Sequence, residues 1–197
     1  MYKIRSFVNR NILLNLYYAL VYPHLLYAIQ TWGFAFDCNI NKIDILQRKV
    51  IRMLTFNDHI YGHLGPSIDV SYLFKELELL KVKEIFELRL GQFIFDCLNG
   101  QSPIQFNNWF ILNVDIHNHA SRGNYNIANY GDERSKTTNL FRLGGRTSYY
   151  GLKSIKSYGL KIWNEYPHCI RNNKSKKMFS NSLKTQDIEP SCFVNII

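Results

Sequence analysis

Residues 81–100 read KVKEIFELRLGQFIFDCLNG, and this run decides the fold class. Val82, Ile85, Phe86, Leu90, Phe93, Ile94 and Cys97 recur at steps of three and four. That period places them on one wide helical face. Asn99-Gly100 supplies a C-terminal stop, and Pro103 lies just beyond it. The spacing predicts a helix over 81–98.

Upstream, Leu73, Leu77 and Leu80 repeat along a shorter helix over about 72–80, with Ser71 as its cap. Residues 57–70 (NDHIYGHLGPSIDV) read as a loop, broken by Gly62, Gly65 and Pro66. Before it, NKIDILQRKVIRMLTF (41–56) carries Ile43, Leu46, Val50 and Leu54, with Ile51 beside them. This is an amphipathic helix, for which Asn39 or Asn41 can serve as cap. Lys42, Arg48, Lys49 and Arg52 fall outside the apolar stripe. They form either a solvated face or a face lying along phosphates.

Residues 11–36, NILLNLYYALVYPHLLYAIQTWGFAF, contain no Asp, Glu, Lys or Arg. The length approaches that of a bilayer span. Asn15, His24 and Gln30 would each need a partner in lipid, and Pro23 interrupts a helix near the middle. The aromatic residues run through the centre and do not gather at two interfaces. The stretch therefore reads as two buried helical segments meeting near Pro23. Leu13, Leu16, Leu20, His24 and Tyr27 mark their common face.

Downstream of the central helix, residues 107–140 are rich in Asn, His, Ser and Gly, lose helical periodicity, and read as loops. From Phe141 the chain is basic and punctuated by Gly144, Gly145, Gly151 and Gly159. Short strands or turns fit there, as does a short helix near 152–164. The segment KSKKMFSNSLK (174–184) fits a last helix with Met178, Phe179 and Leu183 turned inward. The expected fold is mainly α. It has a helical region over 1–105, a polar loop region over 106–140, and an irregular, basic aromatic module over 141–197 with little strand.

The chain has 197 residues, 46% of them hydrophobic and 20% charged, which is a globular composition. It is too short for a complete polymerase. Lys and Arg number 24 and Asp and Glu 15, a net charge of +9. Residues 1–120 hold 11 basic and 10 acidic residues, while 121–197 hold 13 and 5. The excess is thus confined to the C-terminal part, which points to a polyanionic partner or to a solvated basic tail. Cys38, Cys97, Cys169 and Cys192 are widely separated and form no Cys-x-x-Cys pair. With the polar, basic start MYKIRSFVNR, they read as reduced thiols of an intracellular protein.

Catalytic patterns are sparse. Two-metal phosphoryl transfer needs clustered carboxylates, and the one adjacent acidic pair, Asp132-Glu133, sits in a polar loop. His59 and His63 have zinc-like spacing without the Glu of a His-Glu-x-x-His helix. His117 and His119 would need ligands from elsewhere, such as Cys169 or Cys192. There is no phosphate loop, dinucleotide fingerprint or Gly-x-Ser-x-Gly elbow. The expectation is a chain with no catalytic site, no metal and no cofactor.

The positive signal lies in residues 141–184. Arg142, Arg146, Lys153, Lys156, Lys161, Arg171, Lys174, Lys176, Lys177 and Lys184 face a single acid, Glu165. Tyr149, Tyr150, Tyr158, Trp163 and Tyr166 are interleaved. Cations neutralise phosphates, and exposed rings stack on unpaired bases. Leu160, Ile162 and Trp163 read instead as core. The candidate nucleic-acid residues of this segment are Arg146, Lys153, Lys156, Lys161, Arg171, Lys174, Lys176 and Lys177.

Several blocks, in order, resemble one family. They are LYYALVYPHLLYAIQTWG (16–33), LQRKVIRMLT (46–55), LFKELELLKVKEIFELRLGQFIFDCLNG (73–100), GRTSYYGLKSIKSYGLKIWNEYPHCIR (145–171) and SKKMFSNSLK (175–184). Together they resemble the C-terminal part of reverse transcriptases from jockey-like non-LTR retrotransposons. The Tyr-Pro-His-Leu-Leu-Tyr and Leu-Gln-Arg-Lys-x-x-Ile-Arg runs are the most specific. Lys161-Ile162-Trp163-Asn164, with Pro167 and Ile170-Arg171, matches a further block. In that family the fingers and palm carry the catalytic aspartates, in a Tyr/Phe-Ala-Asp-Asp motif that this chain lacks. The resemblance implies the helical thumb, which holds the template–primer duplex, and the region after it. It implies that Arg48, Lys49 and Arg52 face nucleic-acid phosphates. The family's His-x-Tyr-x-Thr-Arg block stands here as His117-Asn118-His119-Ala120-Ser121-Arg122, a departure at two places, and Gly-Pro-Lys as Gly159-Leu160-Lys161.

The expected function is that of a non-catalytic fragment of an RNA-directed DNA polymerase from a transposable element. It would grip RNA or an RNA–DNA hybrid, with the missing palm and fingers as a further partner. Two alternatives belong to other classes. One is a protein attached to membrane by residues 11–36, which the interrupted stretch disfavours. The other is a protein–protein module whose apolar helices form a sticky patch.

Overall fold

The structure is a computed structural model of the chain and describes residues 1–56, 70–106, 109–111 and 153–186. Regular secondary structure among the described residues is helical, with no strand, as the spacing predicts. The chain parts into two compact units, Met1–Phe86 and Glu87–Ile197. Residues 112–152, which contain the expected boundary at 140, lie outside the described residues.

The first unit contains α1 (Arg10–Leu20), α2 (Tyr22–Leu26), α3 (Ile29–Trp32), α4 (Asp37–Leu54), α5 (Ser71–Glu76) and the opening turn of α6 (Val82–Leu98). Leu13, Tyr17, Ile51, Leu54, Val70, Leu73, Phe74, Leu77 and Leu79 form its core. Arg10 pairs with Glu76 at 2.9 Å. The Arg5 guanidinium lies 4.1 Å from the Tyr2 ring centroid and 3.7 Å from that of Phe56.

The charge-free stretch folds into three short helices, not two segments. Pro23 lies in the first turn of α2, where its missing N–H costs nothing. Ala28 adopts φ 49°, a left-handed break ahead of α3. The buried face is also different from the expected one. Leu13, Tyr17, Leu25 and Ile29 are buried, whereas Leu20 and His24 are exposed and Tyr27 is 80% exposed. Where nearly every residue is apolar, spacing alone admits several faces, and the breaks at Val21 and Ala28 reset the phase. No helix of the described residues is long and apolar enough to cross a membrane.

On α4 the expected stripe is likewise rotated. Leu46 is 59% exposed, and the buried positions are Gln47, Ile51 and Leu54. The helix also begins at Asp37, ahead of Asn39 and Asn41, with the Asp37 carboxylate in its first turn. That placement suits the helix dipole. Ser71 is the first residue of α5, not its cap. α5 stops at Glu76, short of 80. The Leu79 N–H bonds the Phe74 carbonyl at 2.8 Å and the Glu78 N–H bonds that of Lys75 at 3.2 Å, with Glu78 at φ 53°. This is a Schellman stop with a non-glycine residue at the left-handed position.

α6 matches its expected extent. Glu84 in its first turn accepts the Lys81 N–H at 2.8 Å, half of a capping box. It ends in a second Schellman stop: Gln101 N–H to the Asp96 carbonyl at 2.8 Å, with Gly100 at φ 66°. Leu88 and Phe95 are buried in addition to the expected face, so apolar surface is covered on more than one side.

The second unit contains the rest of α6, α7 (Ile155–Glu165), α8 (His168–Arg171) and α9 (Lys176–Gln186). Ser154 caps α7 by accepting the Ser157 N–H at 3.3 Å. Phe179 is the centre of its core. Its ring stacks on Phe95 (5.0 Å between centroids) and on Trp163 (5.7 Å), with Tyr166 edge-on at 6.0 Å. Leu160, Ile162 and Trp163 are buried, as expected of core. Met178 is not: Phe179 and Leu183, one turn apart, face inward, and Met178 is left 59% exposed. Gly91 and Gly159 admit close packing. A Cβ at Gly91 would lie 2.9 Å from the Tyr166 hydroxyl, and one at Gly159 3.0 Å from Ile94.

Candidate nucleic-acid interface

Helix geometry sorts the α4 cations. The buried residues Gln47, Ile51 and Leu54 define the inward direction. At 100° per residue, Lys42 and Lys49 point the opposite way, seven residues apart, with Ile45 and Leu46 between them. All four are exposed. Arg48 falls on the flank and Arg52 nearer the outward side, and both are half-buried. Arg48 Nε bonds Asp44 Oδ2 at 2.8 Å, one turn back. Of the three residues suggested by resemblance, Lys49 alone is turned fully outward. Lys42, outside that set, shares its face. The signal that would have found it is the phase set by Gln47, a polar residue that periodicity does not count as core.

In the second unit the fold engages several expected cations. Lys156 Nζ lies 4.8 Å from the Trp109 ring centroid, a cation–π contact. Lys161 reaches Glu165 at 3.8 Å along α7. Lys176 is ion-paired with Asp96 on α6. Arg171 is half-buried, and that burial pulls its pKa downward. Lys153 is half-buried ahead of α7, and Arg146 lies outside the described residues. Lys174 and Lys177 are exposed.

The stacking rings fare differently. Trp163 is 2% exposed. Tyr166 is half-buried, and its hydroxyl donates to the Glu87 carbonyl at 3.3 Å. Tyr158 is half-buried on α7, and Tyr149 and Tyr150 lie outside the described residues.

The residues of the two histidine pairs, Asp132-Glu133 and Arg122 also lie outside the described residues. Among the described residues no group of three His, Cys, Asp or Glu could hold a metal ion. Cys38, Cys97 and Cys169 are free thiols, and burial pushes the Cys97 thiol pKa up. The arrangement offers charge to a polyanion. Compared with protein-family models, curated proteins and solved structures, the chain finds no match.

Proposed function

We propose that this chain is a non-catalytic nucleic-acid-holding module. It corresponds to the thumb and following region of a jockey-like non-LTR retrotransposon reverse transcriptase, and grips RNA or an RNA–DNA hybrid through phosphate contacts. The observation that carries the reading is the placement of its lysines. Lys42 and Lys49 on α4, and Lys174, Lys177 and Lys184 on or beside α9, are exposed and have no carboxylate partner among the described residues. Outward cations held on rigid helices attract phosphates without reading sequence. The missing palm and fingers would supply the chemistry and a second binding surface.

Fluorescence anisotropy of the full chain with a labelled RNA–DNA hybrid tests this. A contact set of about 6–10 phosphates loses roughly 10³–10⁵ in affinity between about 50 and 200 mM salt. Absence of binding at low salt by folded protein removes the reading. Extension of a primed RNA template by the purified chain removes its non-catalytic part.

A second reading, a protein–protein module, draws support from Ile45 and Leu46. These neighbours on α4 are 52% and 59% exposed. Salt-insensitive self-association, lost on changing both to Ser, is its signature.

A further inference from the structure

We infer that the lysine stripe on and just ahead of α9, formed by Lys174, Lys177 and Lys184, is the phosphate-contacting surface of the second unit, and that it takes the backbone of a duplex, not unpaired bases. This rests on the nucleic-acid reading above and deepens it by naming the form of ligand that these lysines take.

Phe179 and Leu183 fix the inward side of α9. Lys177 and Lys184, seven residues apart, point about 140° and 120° away from that side, within about 20° of each other and about 10 Å apart along the axis. Lys174 stands just ahead of Ser175, whose hydroxyl caps the helix by accepting the Met178 N–H at 3.2 Å. All three lysines are exposed. Lys176 falls nearer the inward side, about 40° from it, where Asp96 takes it. Glu165 pairs with Lys161 along α7. Two carboxylates thus hold other lysines of this unit, and the three stripe lysines face solvent.

The stripe also works against the helix it decorates. Lys174 and Lys177 stand at the positive end of the α9 dipole, where cations are unfavourable and an anion is favoured. A phosphate there relieves both the dipole and the lysine repulsion.

Among the described residues of this unit, base stacking has little to use. The rings of Phe95, Phe179 and Trp163 are buried, Tyr166 is tied to Glu87, and Lys156 lies over Trp109. The stripe itself contains no ring. A surface of cations without stacking platforms tracks phosphates and favours the higher charge density of a duplex.

The test uses the full chain and two charge-matched variants, K174Q/K177Q/K184Q and K153Q/K156Q/K161Q, each checked for helicity by circular dichroism. Affinity for a labelled RNA–DNA hybrid and for one of its strands is measured against salt. The stripe variant is expected to lower the slope of log K against log salt by about 2.7, three contacts at about 0.9 each. The matched variant lowers it by less than about 1, and the wild type prefers the hybrid. Lys177→Gln alone lowers the slope by about 0.9. Equal losses in the two triple variants, or preference for the single strand, overturn the inference while leaving nucleic-acid binding intact. A wild type that binds neither probe overturns the underlying reading as well.

Discussion

Gln47 Nε2 donates a 3.0 Å hydrogen bond to the Tyr17 hydroxyl, and both side chains are sealed from solvent. The same amide nitrogen donates to the Leu80 carbonyl at 2.8 Å, and its oxygen accepts the Val82 N–H at 3.2 Å. One carboxamide therefore joins α1, α4 and the α5–α6 connection. It satisfies backbone groups that no helix would otherwise pair, because the chain between Glu76 and Val82 is irregular.

Gln47→Leu keeps the volume and removes every one of these bonds. Each orphaned buried group costs about 1–3 kcal/mol, so the variant is expected to lose about 3 kcal/mol or more. Urea unfolding followed by circular dichroism measures it. A loss below about 1 kcal/mol would mean that the hub is not a structural necessity.

Tyr17 also makes stability depend on pH. Burial raises its pKa above the ordinary 10.0, outweighing the Gln47 hydrogen bond, which lowers it; Tyr18 and Tyr22 add smaller upward contributions. The unfolded chain then releases this proton first. Stability is complete below pH 10.0 and falls as the pH rises through the folded-state value. Urea midpoints taken between about pH 8 and 11 should decline for the wild type and decline less for Tyr17→Phe. Parallel curves would exclude Tyr17 as the source.

Helix stops give a prediction of opposite signs. Gly100 and Glu78 occupy the same left-handed position in two Schellman stops, at φ 66° and 53°. A Cβ is strained there by about 1–2 kcal/mol. Gly100→Ala is expected to destabilise by about 1 kcal/mol, although nothing lies within 4 Å of the added carbon. Glu78→Gly is expected to stabilise by about 0.5–1 kcal/mol. Thermal midpoints of the two variants should move in opposite directions, and movement in the same direction would refute the backbone argument.

These elements show what sequence can and cannot disclose. The extent of α6 is legible because its period, its Asn99-Gly100 stop and its charged flanks agree. The face of α1 is not legible, because residues 11–36 carry no charge to mark the outside. The phase of α4 is hidden for the opposite reason. A glutamine is buried there, and its partners at Tyr17, Leu80 and Val82 come from other elements. Among the cations, count and sign are legible but availability is not. Lys176 looks like its neighbour Lys177 until Asp96, 80 positions away, is seen to hold it.

That pair carries the last prediction. Lys176 Nζ meets Asp96 Oδ2, whose side chain is 20% exposed, and the other carboxylate oxygen is buried without a hydrogen-bond partner. Removing Lys176 leaves a largely covered carboxylate without its counter-charge. Removing both partners leaves none. A half-exposed lysine makes the pair itself worth no more than about 1 kcal/mol. Lys176→Gln is therefore expected to destabilise by about 1 kcal/mol, and Asp96→Asn on top of it to recover part of that loss. The same Lys176→Gln change is expected to leave the salt slope of hybrid binding nearly unchanged, because this ammonium is committed to the fold. If it instead lowers the slope by about 0.9, as one lost phosphate contact would, Lys176 exchanges Asp96 for phosphate and belongs to the binding surface.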